Sequence, residues 1–181
     1  MHEVQTCKEE DNEKIFMKLS NNSIADIFTK LMGKKQYGVG DYEAGTRVLK
    51  EYVTSKHVQI DDWHFVDGSG LSHGIRLNSS GLSKLLFELQ KEPYFELFYD
   101  SLPVAGNPDR LIGGTLKERF TEPKLKNRII AKTGYIHEVN TLSGYLTGDS
   151  GKSYIFSLLL EGREDGIPYL DSGLKKIIEV L

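Results

Sequence analysis

Residues 128–160 read RIIAKTGYIHEVNTLSGYLTGDSGKSYIFSLLL and carry the strongest β-strand pattern in the chain. Three segments of this stretch, residues 128–136, 141–147 and 152–160, are rich in the β-branched and aromatic residues that favour strands. The run Gly148-Asp149-Ser150-Gly151 separates the second segment from the third and is typical of a tight turn. We therefore predict three consecutive antiparallel strands.

Helical patterns lie on both sides of the predicted strands. Apolar residues recur at helical spacing in four regions, and the polar triplet Ser20-Asn21-Asn22 interrupts the first of them. The regions are residues 12–32, residues 42–55, a segment that starts near residue 80, and residues 171–180. We expect their apolar stripes to cover the sheet. The predicted fold class is α/β, an antiparallel sheet flanked by helices.

Composition and charge limit the possible classes of protein. The 181 residues are 39% hydrophobic and 27% charged, which is ordinary for a soluble globular domain. No linker divides them, so we predict one domain over residues 1–181. The net charge of -3 and the lack of a basic run argue against a nucleic-acid partner. No apolar run approaches the ~20 residues that span a membrane.

The N-terminal segment and the metal-binding residue types give no further signal. Residues 1–13 are polar and acidic, unlike a signal peptide. Cys7 is the only cysteine, so no disulfide can form within the chain. The five histidines show no zinc-ligand spacing. We therefore predict neither a metal site nor a cofactor.

Three short segments contain residues suited to chemistry. They are Ser20-Asn21-Asn22, the loop Asp67-Gly68-Ser69-Gly70-Leu71-Ser72, and Lys132-Thr133-Gly134 in the first predicted strand. Each alone is explained as well by a helix cap, a turn or chance. Further segments accompany them in a fixed order: residues 101–106 (SLPVAG), 114–120 (GTLKERF) and 142–145 (LSGY).

The ordered set resembles the D-Ala-D-Ala carboxypeptidase/endopeptidase family of low-molecular-mass penicillin-binding proteins. The similarity runs from about Phe16 to Glu161. It implies a β-lactamase/penicillin-binding transpeptidase-like domain of which residues 1–181 would be the C-terminal part. It also implies a peptidoglycan stem peptide ending in D-Ala-D-Ala as substrate, β-lactams as ligands of the complete enzyme, and a periplasmic or extracytoplasmic location.

The resemblance also assigns roles to residues. Ser20 and Asn22 match the family's Ser-x-Asn motif, and Lys132, Thr133 and Gly134 match its Lys-Thr-Gly motif. These roles would be a proton relay for Ser20, a substrate amide contact for Asn22, and positive charge near the substrate carboxylate for Lys132. Thr133, Gly134 and the backbone N–H of Tyr135 would line the bound peptide, with Tyr135 as an oxyanion donor.

The sequence departs from the family in the segment that supplies the nucleophile. A Ser-x-x-Lys motif belongs well before Ser20, but the 19 residues that precede Ser20 contain no serine. The chain's Ser-x-x-Lys at Ser172-Gly173-Leu174-Lys175 is expected to be a chance match at a helix N-terminus. Ser69 is a poor alternative, because no later Asp and His complete a triad.

Two smaller departures concern the substrate and the surface. Tyr135 replaces the threonine that usually follows Lys-Thr-Gly, and so removes a hydroxyl near the substrate carboxylate. The connection from Gly106 to Gly114 is longer than usual, and we expect it to form a surface insertion.

Two functions remain open at this point. The chain is expected to be part of a cell-wall serine carboxypeptidase that is inactive without its nucleophile. Alternatively, it is a non-catalytic module that binds peptidoglycan peptides or another protein. In either case, an uncovered strand edge or apolar face would favour self-association or binding of the N-terminal part of the same enzyme.

Overall fold

The three predicted strands form one antiparallel sheet in order β1-β2-β3 in a computed structural model that describes residues 15–181. The strands are β1 (Ile129–Ile136), β2 (Val139–Thr147) and β3 (Ser153–Glu161). Their register places Lys132 opposite Ser143, and Ser143 opposite Ser157. The predicted meander is therefore confirmed, with strand ends shifted by at most two residues.

Helices cover both faces of this sheet. Residues 15–19 are helical and belong to α1, and residues 12–14 of the predicted first helix lie outside the described residues. The others are α2 (Asn22–Tyr37), α3 (Tyr42–Ser55), α4 (Ser79–Leu89), α5 (Phe95–Ser101), α6 (Arg110–Gly113), a 3-10 turn (Gly114–Leu116) and α7 (Gly166–Ile178).

The core is divided between the two faces of the sheet. On one face, Leu170, Leu174 and Ile178 of α7 pack against alternate residues of the strands, such as Ile129 and Leu142. On the other face, α4 and α5 pack against a second set of strand residues. That set contains Tyr145, Ile130 and Ile155. The expected α/β fold, an antiparallel sheet flanked by helices, is confirmed.

Helix α2 leaves an apolar stripe at the surface, as expected for this helix. The stripe Ile27, Phe28 and Leu31 was expected to lose part of its covering, and these side chains are 55%, 38% and 54% exposed. The buried side of α2 instead carries Ala25, Thr29 and Gly33. Small residues face α3 because the two helix backbones touch: a Cβ on Gly45 of α3 would lie 2.1 Å from the Thr29 carbonyl oxygen.

Other differences concern helix ends and short helices. Helix α7 begins at Gly166, five residues before the predicted start, so Ser172 lies inside the helix and is not its cap. Pro168 in the first turn was the overlooked signal, since proline is tolerated there. Helices α5 and α6 were missed because they are too short to show periodicity. The segment between Gly106 and Gly114 is at the surface as expected, with Leu111 52% exposed.

Membrane and metal features are absent from the described part of the chain. Among residues 15–181, no helix is long and apolar enough to cross a membrane. In the same range, no group of three or more His, Cys, Asp or Glu side chains is placed to hold a metal ion.

We expect the chain to self-associate through the outer edge of β3. No described strand pairs with this edge, and the alternation of the ladder points the backbone groups of Ile155, Ser157 and Leu159 outward. Leu159→Lys should therefore reduce association, because a lysine on an edge strand opposes pairing. Leu111→Lys makes the same change at an exposed site on α6 and should associate like the wild type.

Sedimentation velocity over a concentration series measures the self-association of the wild type and the two variants. A wild-type chain that stays monomeric throughout, or equal behaviour of the two variants, would contradict the expectation.

Candidate active site

The corner between α1 and α2 presents a serine. Ser20 follows the last helical residue of α1 and has a left-handed backbone, with φ of 52°. The Asn21 N–H donates to the Phe16 carbonyl at 3.0 Å, which closes α1. The Asn21 side chain accepts the Ile24 N–H at 3.0 Å and caps α2. These local bonds hold Ser20 in a conformation that a serine rarely adopts.

The corner is fixed against the rest of the molecule by a backbone contact. Gly114, with φ of 52°, approaches the end of α1 so closely that a Cβ would lie 2.2 Å from the Lys18 carbonyl oxygen. The buried Lys18 side chain donates to the Leu102 carbonyl. Ser20 is therefore positioned by the 3-10 turn as well as by its own helices.

Lys132 meets Ser20 across 112 residues of sequence. The Lys132 Nζ donates to the Ser20 Oγ at 2.6 Å and to the Thr133 carbonyl at 2.8 Å. Two of the predicted site residues are thus brought into direct contact. The ammonium group has only oxygen atoms of neutral groups as hydrogen-bond partners among the described residues.

Burial changes the acidity of this lysine. Removal from water disfavours the charged form and lowers the pKa of Lys132 from 10.5 to about 8. No carboxylate of the described residues lies within ion-pair distance of Lys132 to offset that effect. The group is therefore a cation at neutral pH that gives up its proton more readily than an ordinary lysine.

The strand next to Lys132 has a partly open edge. The segment 103–105 pairs with β1 at its beginning, where Ala131 N–H donates to Pro103 O at 3.0 Å and Ala105 N–H donates to Ile129 O at 2.9 Å. By the alternation of an antiparallel ladder, the N–H groups of Thr133 and Tyr135 point to the same edge. Neither N–H has a partner among residues 15–181, so this edge can receive an extended peptide.

The other predicted residues lie on β1 itself or at the start of α2. Asn22 is exposed in the first turn of α2, and its side chain makes no hydrogen bond with any described residue. Tyr135 is 59% exposed. Gly134 has a structural reason to be glycine, since a Cβ would lie 2.4 Å from the Thr141 hydroxyl oxygen on β2.

Thr115 was not predicted as a site residue, yet it belongs to the same cluster. The Thr133 hydroxyl donates to the Thr115 hydroxyl at 2.8 Å. Thr115 lies on the 3-10 turn and is exposed. The available signal was the segment 114–120, whose similarity to the family was noted without a role for its threonine.

The loop 67–72 is bound to α2, and among the described residues it makes no hydrogen bond with Ser20 or Lys132. The Asp26 carboxylate of α2 accepts the Gly68 N–H at 3.1 Å and the Ser69 N–H at 2.9 Å. The Asp67 carboxylate accepts the Gly70 N–H at 2.6 Å and the Ser72 N–H at 2.9 Å. The loop is thereby bound to the second turn of the helix that begins at the candidate site.

The two other serines considered as nucleophiles are not in this cluster. Ser172 lies on α7, which packs on the face of the sheet opposite to the Lys132 side chain. The Ser69 hydroxyl has no lysine or histidine as a hydrogen-bond partner among residues 15–181. A groove of about 470 Å³ also lies elsewhere, between α3 and residues 61–65. The candidate site is thus an open strand edge beside Ser20 and Lys132.

Comparisons with known proteins agree on one family. The sequence profile described as the D-Ala-D-Ala carboxypeptidase 3 (S13) family matches residues 11–172. A D-alanyl-D-alanine carboxypeptidase from Actinomadura sp. (strain R39) is 34% identical over 153 residues, which are 84% of this chain and 28% of that protein.

Solved structures share the fold. Penicillin binding protein 4 (dacB) from Haemophilus influenzae superimposes with a TM-score of 0.81 at 23% identity, over 93% of this chain and 39% of that chain. The same protein complexed with a β-lactam gives a TM-score of 0.80 at 24% identity, over 93% and 41% of the two chains. The chain thus spans 28% of the length of the curated relative and about two fifths of the solved chains.

The lowered pKa predicts how stability depends on pH. Between pH 8 and 10.5 the unfolded chain holds more protons at residue 132 than the folded chain, so the free energy of unfolding should rise with pH there. Lys132→Met removes this dependence. By pH 10 the wild type should gain up to about 2 kcal/mol relative to the variant, measured from its value at pH 7.

Urea unfolding at pH 7, 8, 9 and 10 measures the difference. Lys152→Met, at an exposed lysine in the β2–β3 turn, should follow the wild type. Parallel curves for the wild type and Lys132→Met would show that residue 132 is not desolvated in the folded chain.

Proposed function

The chain belongs to the D-Ala-D-Ala carboxypeptidase 3 (S13) family, and from this premise we propose that it forms the peptide-binding and proton-relay part of a serine D-Ala-D-Ala carboxypeptidase site. The proposed substrate is a peptidoglycan stem peptide that ends in D-Ala-D-Ala. The proposed residues are Ser20, Asn22 and Lys132, together with the β1 edge at residues 133–135.

One observation carries this proposal. Lys132 is a partly buried ammonium group in contact with a serine hydroxyl, at an open strand edge, and without a carboxylate partner among the described residues. A partly buried charge is stabilised when an opposite charge binds. The terminal carboxylate of a peptide laid along the strand would supply that charge.

Binding along β1 would follow the pattern of strand addition. A peptide in extended conformation can accept the Thr133 and Tyr135 N–H groups, which gives affinity that does not depend on its side chains. Asn22, exposed at the start of α2, can hold a peptide amide across the cleft. A carbonyl at the Tyr135 N–H would be polarised by that donor, as an oxyanion site requires.

The Ser20–Lys132 pair is suited to carry a proton to the departing D-alanine. Lys132 donates to the Ser20 oxygen, so the serine's own proton is directed to another acceptor. When the amine leaves, it can take that proton from Ser20 while Lys132 transfers one to Ser20. Because burial lowers the pKa of Lys132, this lysine gives up a proton to Ser20 more readily than an ordinary lysine would.

The attacking serine has to come from outside this cluster. Acyl transfer needs a hydroxyl whose proton passes to a neighbouring base, and the cluster contains no second lysine beside a second serine. We therefore propose that residues 1–181 are the C-terminal part of the catalytic domain and lack acyl-transfer activity alone. β-Lactam binding by the complete enzyme and an extracytoplasmic location, where peptidoglycan lies, belong to the same proposal.

A non-catalytic module is the second candidate function. The observation in its favour is that Ser20, Lys132 and the open edge are in place although the described residues bring no second serine and lysine to the cluster. Such a module would bind the same peptides by the same strand edge. The two functions differ in whether the chain, when joined to a serine-bearing partner, releases D-alanine.

Peptide binding tests the peptide site at the β1 edge, which both candidate functions require. An N-acylated peptide ending in D-Ala-D-Ala should bind the wild-type chain, and Lys132→Ala should weaken binding roughly tenfold or more, the usual effect of losing a hydrogen bond to a charged group. Titration followed by NMR chemical shifts measures this at weak affinity. Lys152→Ala is the matched control; equal affinity of all three proteins would refute the role of Lys132.

Reaction with a penicillin tests the absence of a nucleophile. We expect no stoichiometric adduct on the 181-residue chain after incubation with penicillin, as judged by intact-mass spectrometry, because Ser20 accepts a hydrogen bond from its lysine and has no free base. A penicillin-sensitive carboxypeptidase in the same reaction is the positive control. A full adduct on Ser20, Ser69 or Ser172 would overturn this account.

A further inference from the structure

Thr115 lies beside the open edge of β1, on the side of the strand opposite to Ser20. Its hydroxyl lies 2.8 Å from that of Thr133, whose side chain points to the α7 side of β1, whereas the Lys132 side chain points to the other side. Thr115 is exposed, although its neighbours Gly114 and Leu116 are buried. The only hydroxyl that the 3-10 turn offers is therefore presented at the edge of β1.

The position of Thr115 is fixed by the same contact that fixes Ser20. Leu116 is fully buried in the core beneath the sheet, and Gly114 touches the backbone of Lys18. The 3-10 turn therefore has no room to move relative to the α1–α2 corner. Ser20 and Thr115 are held on either side of β1 by one rigid junction.

The direction of the hydrogen bond determines what Thr115 can do. Thr133 donates its proton to the Thr115 oxygen, so the proton of Thr115 is available for another acceptor. A hydroxyl that accepts one bond becomes a better donor in the next. No described residue accepts this proton, and the hydroxyl lies at the surface beside a strand that also carries Lys132.

We propose that the Thr115 hydroxyl binds the terminal carboxylate of the substrate peptide and supplies the short hydroxyl donor that a tyrosine at position 135 does not supply. This inference rests on the proposed function, because it assumes that the peptide occupies the β1 edge. A carboxylate fits the site because it can accept from Thr115 with one oxygen and be attracted to the Lys132 charge. Thr115 is then a specificity-determining residue for peptides with a free C-terminus.

The test compares two ligands on three variants of the whole chain. The ligands are an N-acylated peptide ending in D-Ala-D-Ala and the same peptide with a C-terminal amide. Thr115→Val removes the hydroxyl and keeps the shape, and Thr115→Ser keeps the hydroxyl. Thr54→Val makes the same change at an exposed threonine on α3, whose hydroxyl bonds only within its own helix.

Thr115→Val should bind the acid about tenfold more weakly, because a hydrogen bond to a charged group is lost, and should bind the amide within twofold of the wild type. Thr115→Ser and Thr54→Val should keep wild-type affinity for both ligands. A merely structural role would lower the affinity for both ligands equally, and that outcome overturns the inference.

Two further results have distinct meanings. If the wild type binds the acid and Thr115→Val binds it equally well, the role of Thr115 is refuted while the peptide site stands. If the wild type binds neither ligand, the proposed function fails, and the assignment of Thr115 fails with it. A two-dimensional NMR spectrum of Thr115→Val that overlays on the wild type outside the site confirms that the variant is folded.

Discussion

The junction of α1, the 3-10 turn and β1 is held by backbone contact, with no space for a side chain at Gly114 against the Lys18 carbonyl. The positions of Ser20 and Thr115 both follow from this contact. Because Lys132 reaches the Ser20 oxygen at 2.6 Å, a shift of the corner by even one ångström would break that hydrogen bond. The contact between Ser20 and Lys132 therefore depends on packing that lies outside these two side chains.

Sequence patterns predicted the helices and strands correctly where buried and exposed residues recur at a regular period. Helix α3 was predicted at its observed bounds, Tyr42–Ser55, and the meander was recognised from its β-branched residues and its turn. For α2 the same reasoning did not identify the buried side, because the larger residues Ile27 and Leu31 lie on the exposed side. Periodicity identifies a helix face by hydrophobicity, but close contact between helix backbones requires small residues, and these give a weak signal.

The site was predictable in part, and only from resemblance. No periodic pattern connects Ser20 with Lys132, which are 112 residues apart, and their contact arises from the fold. Ordered motifs related to a known family supplied the pair. Thr115 was beyond this approach because its place depends on a three-residue turn and on the rotation of one hydroxyl. The role assigned to Gly134 was also incomplete, since its neighbour Thr141 already excludes a side chain.

Hydrogen exchange in the loop 67–72 can be used to observe local opening around the α1–α2 corner. The Gly68 and Ser69 amides of this loop are bound to the Asp26 carboxylate one turn beyond the start of α2. These two hydrogens can exchange with deuterated solvent only when the loop separates from the helix. Their exchange rate therefore reports on local unfolding around the site in the absence of any ligand. The chain thus carries, in a loop apart from the Ser20–Lys132 pair, an internal measure of how often α2 is released.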